Sequence, residues 1–300
     1  MRVLVSGSHG LIGRALTAHL TKSGHQIVSL LRSSDTVADP PSMWEPIHRQ
    51  TWQQNIGAVD AVVHLAGENL AAHRWNQKVK QRIWNSRVLG TEQLCQHLAD
   101  LSERPRVLVA ASAVGYYGDR GDEILTEDSA PGNGFLADLC RGWEKACVPA
   151  SQAGIRVVNL RIGTVLAKEG GALAKLLPAY KLGLGGRLGS GKQWTSWIGL
   201  EDLVRVIEEA LAKDRFVGPM NAVSPHPVTN TDYARTLGRV LRRPTAFPLP
   251  AGILRLALGE MAQSLLLSSA RVEPRRLSEV GHRFLYPELE AALRSILTEN

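Results

Sequence analysis

The chain has 300 residues, of which 44% are hydrophobic and 21% are charged. This composition is typical of a soluble globular protein with a full-sized core, and it excludes a disordered chain or a small disulfide-stapled scaffold. The 35 basic and 28 acidic residues give a net charge of +7. Such a balance suits a polyanionic ligand, although an unspecific basic surface is its commoner cause.

The cysteines and the apolar segments indicate the compartment. Cys95, Cys140 and Cys147 are an odd number without metal-ligand spacing, so we expect free thiols in a reducing compartment and no metal site. The first residues form a strand-like run without the pattern of a signal peptide. The most apolar late stretch, residues 251–267, contains two charged residues and is too short to span a bilayer. We therefore expect a soluble protein with no membrane partner, in the cytoplasm or, as the alternative, in an organelle matrix.

Short apolar runs alternate with amphipathic helical patterns through the first half of the chain. In chain order, the patterns predict strand Arg2–Val5, helix Leu11–Ser23, strand Ile27–Leu31, strand Ala61–Leu65, a long helix from Lys78 to about Leu98, strand Val107–Ala111, helix Leu136–Ala150 and strand Val157–Arg161. Continuous apolar strands that alternate with helices are typical of parallel sheets buried on both faces. The sequence therefore predicts an α/β fold with a doubly wound, Rossmann-type parallel sheet.

The texture of the sequence changes after Arg161. Residues 163–191 are rich in glycine, Glu201–Leu211 has a helical pattern, and six prolines lie between residues 219 and 250. We therefore predict a nucleotide-binding domain at residues 1–168 and a smaller, substrate-side C-terminal domain at residues 169–300.

A glycine-rich turn joins the first strand to the first helix. It consists of Gly7, Ser8, His9, Gly10, Leu11, Ile12 and Gly13. Glycines at these points allow a tight turn, close approach of the backbone to a pyrophosphate, and close helix–strand packing, while the helix N-terminus supplies amide donors. The spacing is G-x-x-G-x-x-G rather than G-x-G-x-x-G, and a plain tight turn is the alternative. Its place between a strand and a helix favours a dinucleotide site.

The end of the second predicted strand indicates which dinucleotide is bound. An acidic residue about 20 positions beyond the glycines normally binds the ribose hydroxyls of NAD. Here Arg32 lies 19 residues after Gly13 and is followed by Ser33 and Ser34, and no acidic residue precedes Asp35. A guanidinium with neighbouring hydroxyls suits a 2′-phosphate. We therefore predict NADP(H) in preference to NAD(H), with an ordinary solvated arginine as the alternative.

Further motifs carry a resemblance to a known family. Asp60 and His64–Gly67 lie at the third predicted strand, and Ser112–Gly118 follows the fourth. With the glycine-rich turn, these motifs resemble those of the extended short-chain dehydrogenase/reductases. A narrower resemblance, to the atypical "epimerase family" branch of the NAD-dependent epimerase/dehydratases, is carried by Leu65–Asn69, Arg74–Trp75, Ser86–Arg87, Trp143–Glu144, Gly170–Leu173, Leu182–Gly186, Gly189–Gly191 and Pro227–Asn230. A C-terminal segment at about residues 250–298 is also similar to that branch.

The resemblance implies cofactor contacts beyond the glycine-rich turn. It places Leu65, Ala66 and Gly67 against the adenosine and pyrophosphate side of the cofactor. It places Arg87 on a helix near the active site, and the backbone of Val165 near the nicotinamide end. For Leu65, Ala66 and Val165, core packing is the alternative.

Catalysis is where the sequence departs from the family. Ordinary members use a Ser or Thr, a Tyr, and a Lys four residues after that Tyr. Ser112 stands at the serine position, but Leu136 and Cys140 occupy the tyrosine and lysine positions, and neither can replace the missing pair. Tyr117 is the substitute phenol that we name with Ser112 as a candidate catalytic pair. The alternative for Tyr117 is a residue that lines the substrate pocket.

Other patterns are explained more simply. Basic and aromatic side chains are combined in the first half of the long predicted helix, as on nucleic-acid surfaces. However, Trp75, Val79 and Ile83 recur at four-residue spacing, which is typical of a buried helix stripe, so we predict no nucleic-acid partner. His64 lies in an apolar strand and is expected to be a core histidine. The glycine-rich run Gly183–Gly191 could cradle a second phosphate or form a flexible connection.

Two hypotheses about function follow from these motifs. In the first, the protein is an NADP(H)-dependent oxidoreductase or epimerase-like enzyme that acts on a small carbonyl or sugar-nucleotide-like substrate with an unconventional proton donor. In the second, it is a catalytically degenerate NADP(H)-binding sensor or interaction module. The missing Tyr-Lys pair favours the second hypothesis, whereas Ser112 and the glycine-rich substrate-side loop favour the first.

Overall fold

A computed structural model of the chain describes residues 1–30 and 58–298. The predicted cofactor residues Arg32 and Ser33 lie outside the described residues. The three cysteines are buried free thiols, as predicted.

The predicted parallel sheet is confirmed. Its six strands follow the order β2-β1-β3-β4-β6-β10. The ladders that join β1 to β2, β1 to β3 and β3 to β4 are all parallel. The sheet strands are β1 (Arg2–Ser6), β2 (Gln26–Leu30), β3 (Ala61–His64), β4 (Val107–Ala113), β6 (Arg156–Ile162) and β10 (Gly218–Ala222). The shorter strands are β5 (Ile124–Leu125), β7 (Thr164–Leu166), β8 (Trp194–Thr195), β9 (Trp197–Gly199), β11 (Val228–Thr229) and β12 (Arg271–Val272).

The described residues form twelve α-helices. They are α1 (Leu11–Lys22), α2 (Gln77–Trp84), α3 (Gly90–Ala99), α4 (Phe135–Lys145), α5 (Val148–Gln152), α6 (Gly171–Lys181), α7 (Leu200–Ala212), α8 (Asn230–Leu241), α9 (Ala251–Leu258), α10 (Glu260–Ala262), α11 (Arg275–Glu279) and α12 (Leu289–Thr298). None of them has the length and apolar composition needed to cross a membrane.

Two predicted helices are interrupted. The long helix expected from Lys78 to about Leu98 contains a π-helical turn, Asn85–Leu89, between α2 and α3. Its predicted apolar stripe is confirmed, because Trp75, Val79 and Ile83 are all buried. The helix expected over Leu136–Ala150 is two helices, α4 and α5, and a proline in the first turn of α5 suits a helix start.

The sheet topology places two loops side by side. From β1 the chain passes to β2 on one side, whereas β3 flanks β1 on the other side. The carboxyl ends of two strands whose connections diverge in this way leave a crevice where ligands bind in open α/β sheets. The loop that begins at Gly7 and the loop that begins at Leu65 border this crevice.

The chain packs into two compact units. The first contains Met1–Ser112, Leu139–Leu160 and Ile207–Pro219, and the second contains Ala113–Asp138, Arg161–Val206 and Met220–Asn300. A core of the first unit is built from strands β1, β3 and β4 and helix α3, with Leu4, Val62, Leu94, Leu98 and Leu108 at its centre. The division at residue 168 that the sequence suggests remains a prediction.

A core of the second unit lies among helices α6, α8 and α12. Leu173, Leu177, Trp197, Leu237 and Leu293 are among its buried side chains. Trp197 is fully buried, and its indole nitrogen donates a hydrogen bond to the carbonyl oxygen of His226. Helices α8 and α12 therefore belong to a packed core.

His64 joins strand β1 to helix α3 inside the first unit. Its Nδ1 lies 2.6 Å from Ser6 Oγ, and its Nε2 lies 2.9 Å from Thr91 Oγ1. Burial, and to a lesser extent the Arg87 charge, lower the pKa of His64 from 6.5 to about 4. The imidazole is therefore neutral at physiological pH. These contacts agree with the expected role of His64 as a core histidine.

Acidic pH is expected to destabilise the fold through His64. Between pH 6.5 and pH 4 the unfolded chain binds a proton at this histidine that the folded chain does not bind. The free energy of unfolding therefore falls as the pH drops through this window, by roughly 3 kcal/mol in total. Urea denaturation at several pH values between 4 and 7 measures the effect.

A matched pair of variants isolates this titration. His64→Gln removes the group, so its difference in unfolding free energy from the wild type should shrink as the pH falls. His73→Gln changes an exposed histidine and should keep the pH dependence of the wild type. The same pH dependence in His64→Gln and wild type would contradict the prediction.

Candidate functional site

Two glycines of the turn after β1 are required by packing alone. Gly7 has φ +73°, and a Cβ there would lie 2.8 Å from the backbone of Leu65 and Ala66. A Cβ on Gly13 would lie only 2.1 Å from the carbonyl oxygen of Gly7. These two glycines therefore fix the approach of α1 to the sheet, whether or not a ligand is bound.

Gly10 differs from Gly7 and Gly13. Its backbone is extended, with φ −71° and ψ 172°, and among the described residues a Cβ there would come within 4 Å of the carbonyl oxygen of Gly7 alone, at 3.3 Å. Gly10 is the N-cap of α1, no side chain caps the helix, and its first turn contains no acidic residue. Within the described residues, the first amides of α1 thus have no side-chain cap, and they lie at the positive end of the helix dipole. This cradle fits a pyrophosphate.

The remaining residues of the turn differ in exposure. Ser8 is buried, His9 is exposed, and Leu11 and Ile12 are half-buried at the start of α1. The role of these four residues as cofactor contacts remains a prediction.

The loop after β3 lies directly against the turn. The amide of Leu65 donates to the carbonyl oxygen of Ser6 at 3.1 Å, and Ala66 is buried against Gly7. Leu65 and Ala66 therefore pack against the turn, which is the structural role given above as the alternative. The same loop borders the crevice in which a cofactor would bind.

Arg87 places a cation next to this loop. It lies in the π-helical turn, its Nη1 donates to the carbonyl oxygen of Glu68 at 2.8 Å, and its guanidinium lies 5.0 Å from the centre of the Trp143 ring. A Cβ on Gly67 would lie 2.9 Å from the guanidinium carbon. Burial lowers the pKa of Arg87 to about 10, so the side chain keeps its charge at neutral pH. An enclosed positive charge at this position suits an anionic ligand.

Ser112 is paired with a carboxylate that the sequence argument did not assign a role. It is buried near the end of β4, and its Oγ donates to Glu144 Oε1 at 2.8 Å. Glu144 lies on α4, four residues after Cys140 and therefore on the same helix face. Cys140 is buried and Leu136 is half-buried. The spacing from Cys140 to Glu144 was the available signal for this pair.

Tyr117 is fully buried in the second unit. Its hydroxyl donates to Asn221 Oδ1 at 2.7 Å and accepts from Arg161 Nη1 at 3.0 Å. Burial raises the pKa of Tyr117 to about 12, although Arg161 opposes the shift. The phenol is therefore neutral with both partners in place. This geometry favours a lining or supporting role, and the catalytic role stays a prediction.

The partners of Tyr117 form a polar cluster that sequence reasoning missed. Arg161 is buried, with its guanidinium carbon 3.5 Å from the centre of the Tyr116 ring. Glu127 is also buried; its Oε1 accepts from the amides of Asn221 and Arg276, and burial raises its pKa. These residues lie far apart in the chain without regular spacing, so no periodic pattern could have joined them.

Val165 lies in the middle of β7. It is half-buried and pairs with Ile198 of β9. Gly163, just before this strand, has no room for a side chain, because a Cβ would lie 2.7 Å from the carbonyl oxygen of Ser196. The strand is thus held tightly, and the expected contact of its backbone with nicotinamide stays a prediction.

Comparison with known proteins identifies the class of this fold and site. The model of the NAD dependent epimerase/dehydratase family matches residues 3–223, and a domain of unknown function (DUF1731) matches residues 249–296. The chain therefore belongs to the NAD-dependent epimerase/dehydratase family. The C-terminal match confirms the characteristic segment expected at about residues 250–298.

Within that family, its relatives are epimerase family proteins. It is 41% identical over 291 residues to epimerase family protein Mb2239 of Mycobacterium bovis, covering 97% of this chain and 96% of the relative. The crystal structure of human epimerase family protein SDR39U1 (isoform 2) with NADPH matches with a TM-score of 0.90 and 33% identity, over the full length of both chains. A nucleoside-diphosphate sugar epimerase from Corynebacterium glutamicum matches with a TM-score of 0.78 and 36% identity, over 100% of this chain and 59% of that one.

Substitution of Gly10 is expected to abolish dinucleotide binding while the fold survives. Valine can adopt the extended backbone at this position, but its side chain would fill the space beside the first amides of α1. We expect Gly10→Val to weaken NADPH binding roughly 100-fold or more, as expected for the loss of two or more charge-assisted hydrogen bonds. Isothermal titration calorimetry with NADPH measures the loss.

Two further glycine variants separate ligand binding from packing. Gly10→Ala should weaken binding less than Gly10→Val, because it fills less of the space. Gly13→Ala should lower thermal stability itself, since its Cβ would overlap the Gly7 carbonyl. Near-normal NADPH affinity in Gly10→Val would show that the glycine-rich sequence is only a turn.

Proposed function

We propose that the protein binds NADP(H) at the carboxyl ends of β1 and β3 and uses it to reduce or epimerise a small carbonyl or sugar-nucleotide-like substrate in the cytoplasm. The observation that carries the proposal is the uncapped N-terminus of α1 at Gly10, where Gly7 is the one described residue that a side chain would contact within 4 Å. The full-length similarity to a human relative whose crystal structure holds NADPH supports the same cofactor. Arg87 adds an enclosed positive charge next to the crevice.

The proposed preference for NADP(H) rests on Arg32 with Ser33. A guanidinium and a neighbouring hydroxyl, which the sequence places at the end of the second predicted strand, suit the charge and hydrogen-bonding needs of a 2′-phosphate. The absence of any acidic residue before Asp35 removes the usual partner of an NAD ribose.

Arg32→Asp is expected to abolish the preference for the phosphorylated cofactor. Wild-type protein should bind NADPH at least about tenfold more tightly than NADH, because each charge-assisted hydrogen bond to the phosphate contributes about 1.5–3 kcal/mol. The variant should lose NADPH affinity and keep NADH affinity. Calorimetric titration of both cofactors provides the comparison.

An exposed lysine provides the control for general charge effects. Lys22→Gln, at the end of α1, removes one positive charge at a distance from the turn and should leave the NADPH preference intact. Equal affinities of the wild type for the two cofactors would refute the assignment of Arg32.

The chemistry proposed for the site starts from its proton donors. When bound, NADPH supplies a hydride to a substrate carbonyl. The Ser112 proton is held by Glu144, so substrate binding must redirect that proton from the carboxylate toward the carbonyl oxygen. Neutral Tyr117, with a pKa near 12, can donate a proton at neutral pH but cannot abstract one. Of the two proposed activities these residues therefore favour reduction of a carbonyl, because epimerisation at an alcohol carbon would begin with oxidation of that alcohol.

Substitution of Ser112 is expected to be the more damaging change for catalysis. In a screen of NADPH consumption across carbonyl compounds, Ser112→Ala should lower kcat roughly 100-fold through the loss of the hydroxyl that orients the carbonyl. Tyr117→Phe should lower kcat less and should lower the unfolding free energy by about 1–3 kcal/mol, because Asn221 and Arg161 lose a buried partner. Both variants should keep the NADPH affinity of the wild type.

The outcomes of the screen separate enzyme from module. Turnover that survives both substitutions would exclude the pair as catalytic. NADPH binding without turnover on any carbonyl would favour a cofactor-binding sensor or interaction module. Leu136 and buried Cys140 at the usual tyrosine and lysine positions are the observation that favours this second function.

A further inference from the structure

The positive charge of the protein is concentrated in two segments of the second unit. Residues 170–200 and 233–259 contain no aspartate or glutamate, and together they hold nine of the 35 basic residues. The rest of the chain therefore has a net charge of −2. The basic residues of these segments are Lys175, Lys181, Arg187, Lys192, Arg235, Arg239, Arg242, Arg243 and Arg255.

The two segments form one surface, which we call the basic face. The amide of Phe247 donates to the carbonyl oxygen of Gly185, and Leu249 exchanges backbone hydrogen bonds with Arg187 and Gly189. The guanidinium of Arg243 donates to the carbonyl oxygen of Lys181. These contacts place the loop after α6 alongside the loop that leads into α9.

Large apolar side chains project from the basic face. Leu256 is 80% exposed and Leu182 is 75% exposed, the two highest values among the large apolar side chains of the described residues. Half of the exposed large apolar residues in the described part of the chain belong to this face; they are Leu182, Leu184, Phe247, Leu249, Ile253 and Leu256. In α9, Ile253 and Leu256 lie three residues apart on the outer side, whereas Leu254 is buried.

The basic face also contains a cavity suited to an anion. A pocket of about 250 Å³ is lined by Arg187 and Arg235, with Thr231 and Thr245. Within the described residues, no carboxylate forms an ion pair with either arginine. The Thr231 hydroxyl donates to the carbonyl oxygen of Gly191, so it has no proton left to donate to an anion. The hydrogen-bond donors for an anion in this cavity would come from the two arginines.

The chemistry of this face selects its occupant. A second copy of the chain would bring two faces of the same charge together, which is unfavourable for a symmetric dimer. Nucleic acid would leave exposed leucine and isoleucine side chains without partners, since aliphatic groups do not stack on bases as aromatic groups do. An anionic lipid surface satisfies both features, because its phosphates pair with arginine and lysine and its acyl boundary takes up leucine, isoleucine and phenylalanine.

We propose that the basic face docks on the surface of an anionic phospholipid membrane, with α9 lying along the interface and a lipid phosphate in the cavity between Arg187 and Arg235. This association is peripheral and requires no spanning helix. The sequence-based expectation of no membrane partner rested on the absence of a spanning segment, and it does not address a surface of this kind.

Vesicle co-sedimentation of the full chain tests the proposal. We expect binding to vesicles that mix phosphatidylglycerol with phosphatidylcholine, weak or no binding to phosphatidylcholine alone, and loss of binding as the salt concentration is raised. Arg187→Gln combined with Arg235→Gln should weaken binding about 30-fold, the loss expected for two basic residues near the surface. Ile253→Asn combined with Leu256→Asn should weaken binding at least about tenfold.

Matched controls lie on exposed sites of the first unit. Lys78→Gln combined with Arg215→Gln removes the same charge, and Val217→Asn removes an apolar side chain that is 58% exposed. These controls should bind vesicles as the wild type does, and an unchanged thermal unfolding transition shows that each variant is folded.

Three results would overturn the proposal. They are the absence of wild-type binding to the anionic vesicles, equal losses in the control variants, and binding that survives both pairs of substitutions on the basic face. Light scattering adds a fourth: a dimer that dissociates in Ile253→Asn/Leu256→Asn would assign the face to a second copy instead.

Discussion

The contact between the turn after β1 and the loop after β3 is the constraint on which the candidate site depends. Gly7 lies against the backbone of Leu65 and Ala66, and Gly13 packs onto Gly7, at distances that admit no side chain. This packing holds α1 against the sheet, and within the described residues no side chain caps the first amides of α1 at Gly10. The same close approach thus completes the core of the first unit and creates a place for an anion.

The two candidate catalytic hydroxyls lie outside that contact, and both are buried with hydrogen-bond partners. Ser112 has a carboxylate partner in Glu144, whereas Tyr117 is bonded to Asn221 and Arg161 inside the second unit. A buried hydroxyl with satisfied partners supports structure at low cost. Such a hydroxyl can act as an acid only when one of those hydrogen bonds is exchanged for a bond to the substrate. For Ser112 this is the bond to Glu144, and for Tyr117 it is the bond to Asn221.

The sequence was informative wherever neighbours in the chain are neighbours in space. Strands β1 to β4 and β6, helix α1, the buried stripe of Trp75, Val79 and Ile83, and the glycine-rich turn depend on local periodicity and backbone geometry, and these were predicted. Strand β10 and the short strands were not predicted. The cluster of Glu127, Arg161 and Asn221 was not predicted, because its members come from distant segments that only the fold brings together. The basic face was also missed, since net charge conceals an uneven distribution until both acid-free segments are seen to be in contact.

The π-helical turn at Asn85–Leu89 has a consequence for which changes in chain length the protein tolerates. In a regular α-helix each residue advances the side-chain direction by about 100°. The wider turn takes up about one extra residue, so the buried side chains of α3, such as Leu94 and Leu98, face a different direction from Val79 and Ile83 of α2. Deleting one residue here would restore a regular helix and rotate one of these two apolar stripes out of its core. Surface loops accept insertions and deletions readily, whereas this helical segment has a fixed length because buried side chains on both sides of the π-helical turn depend on its register.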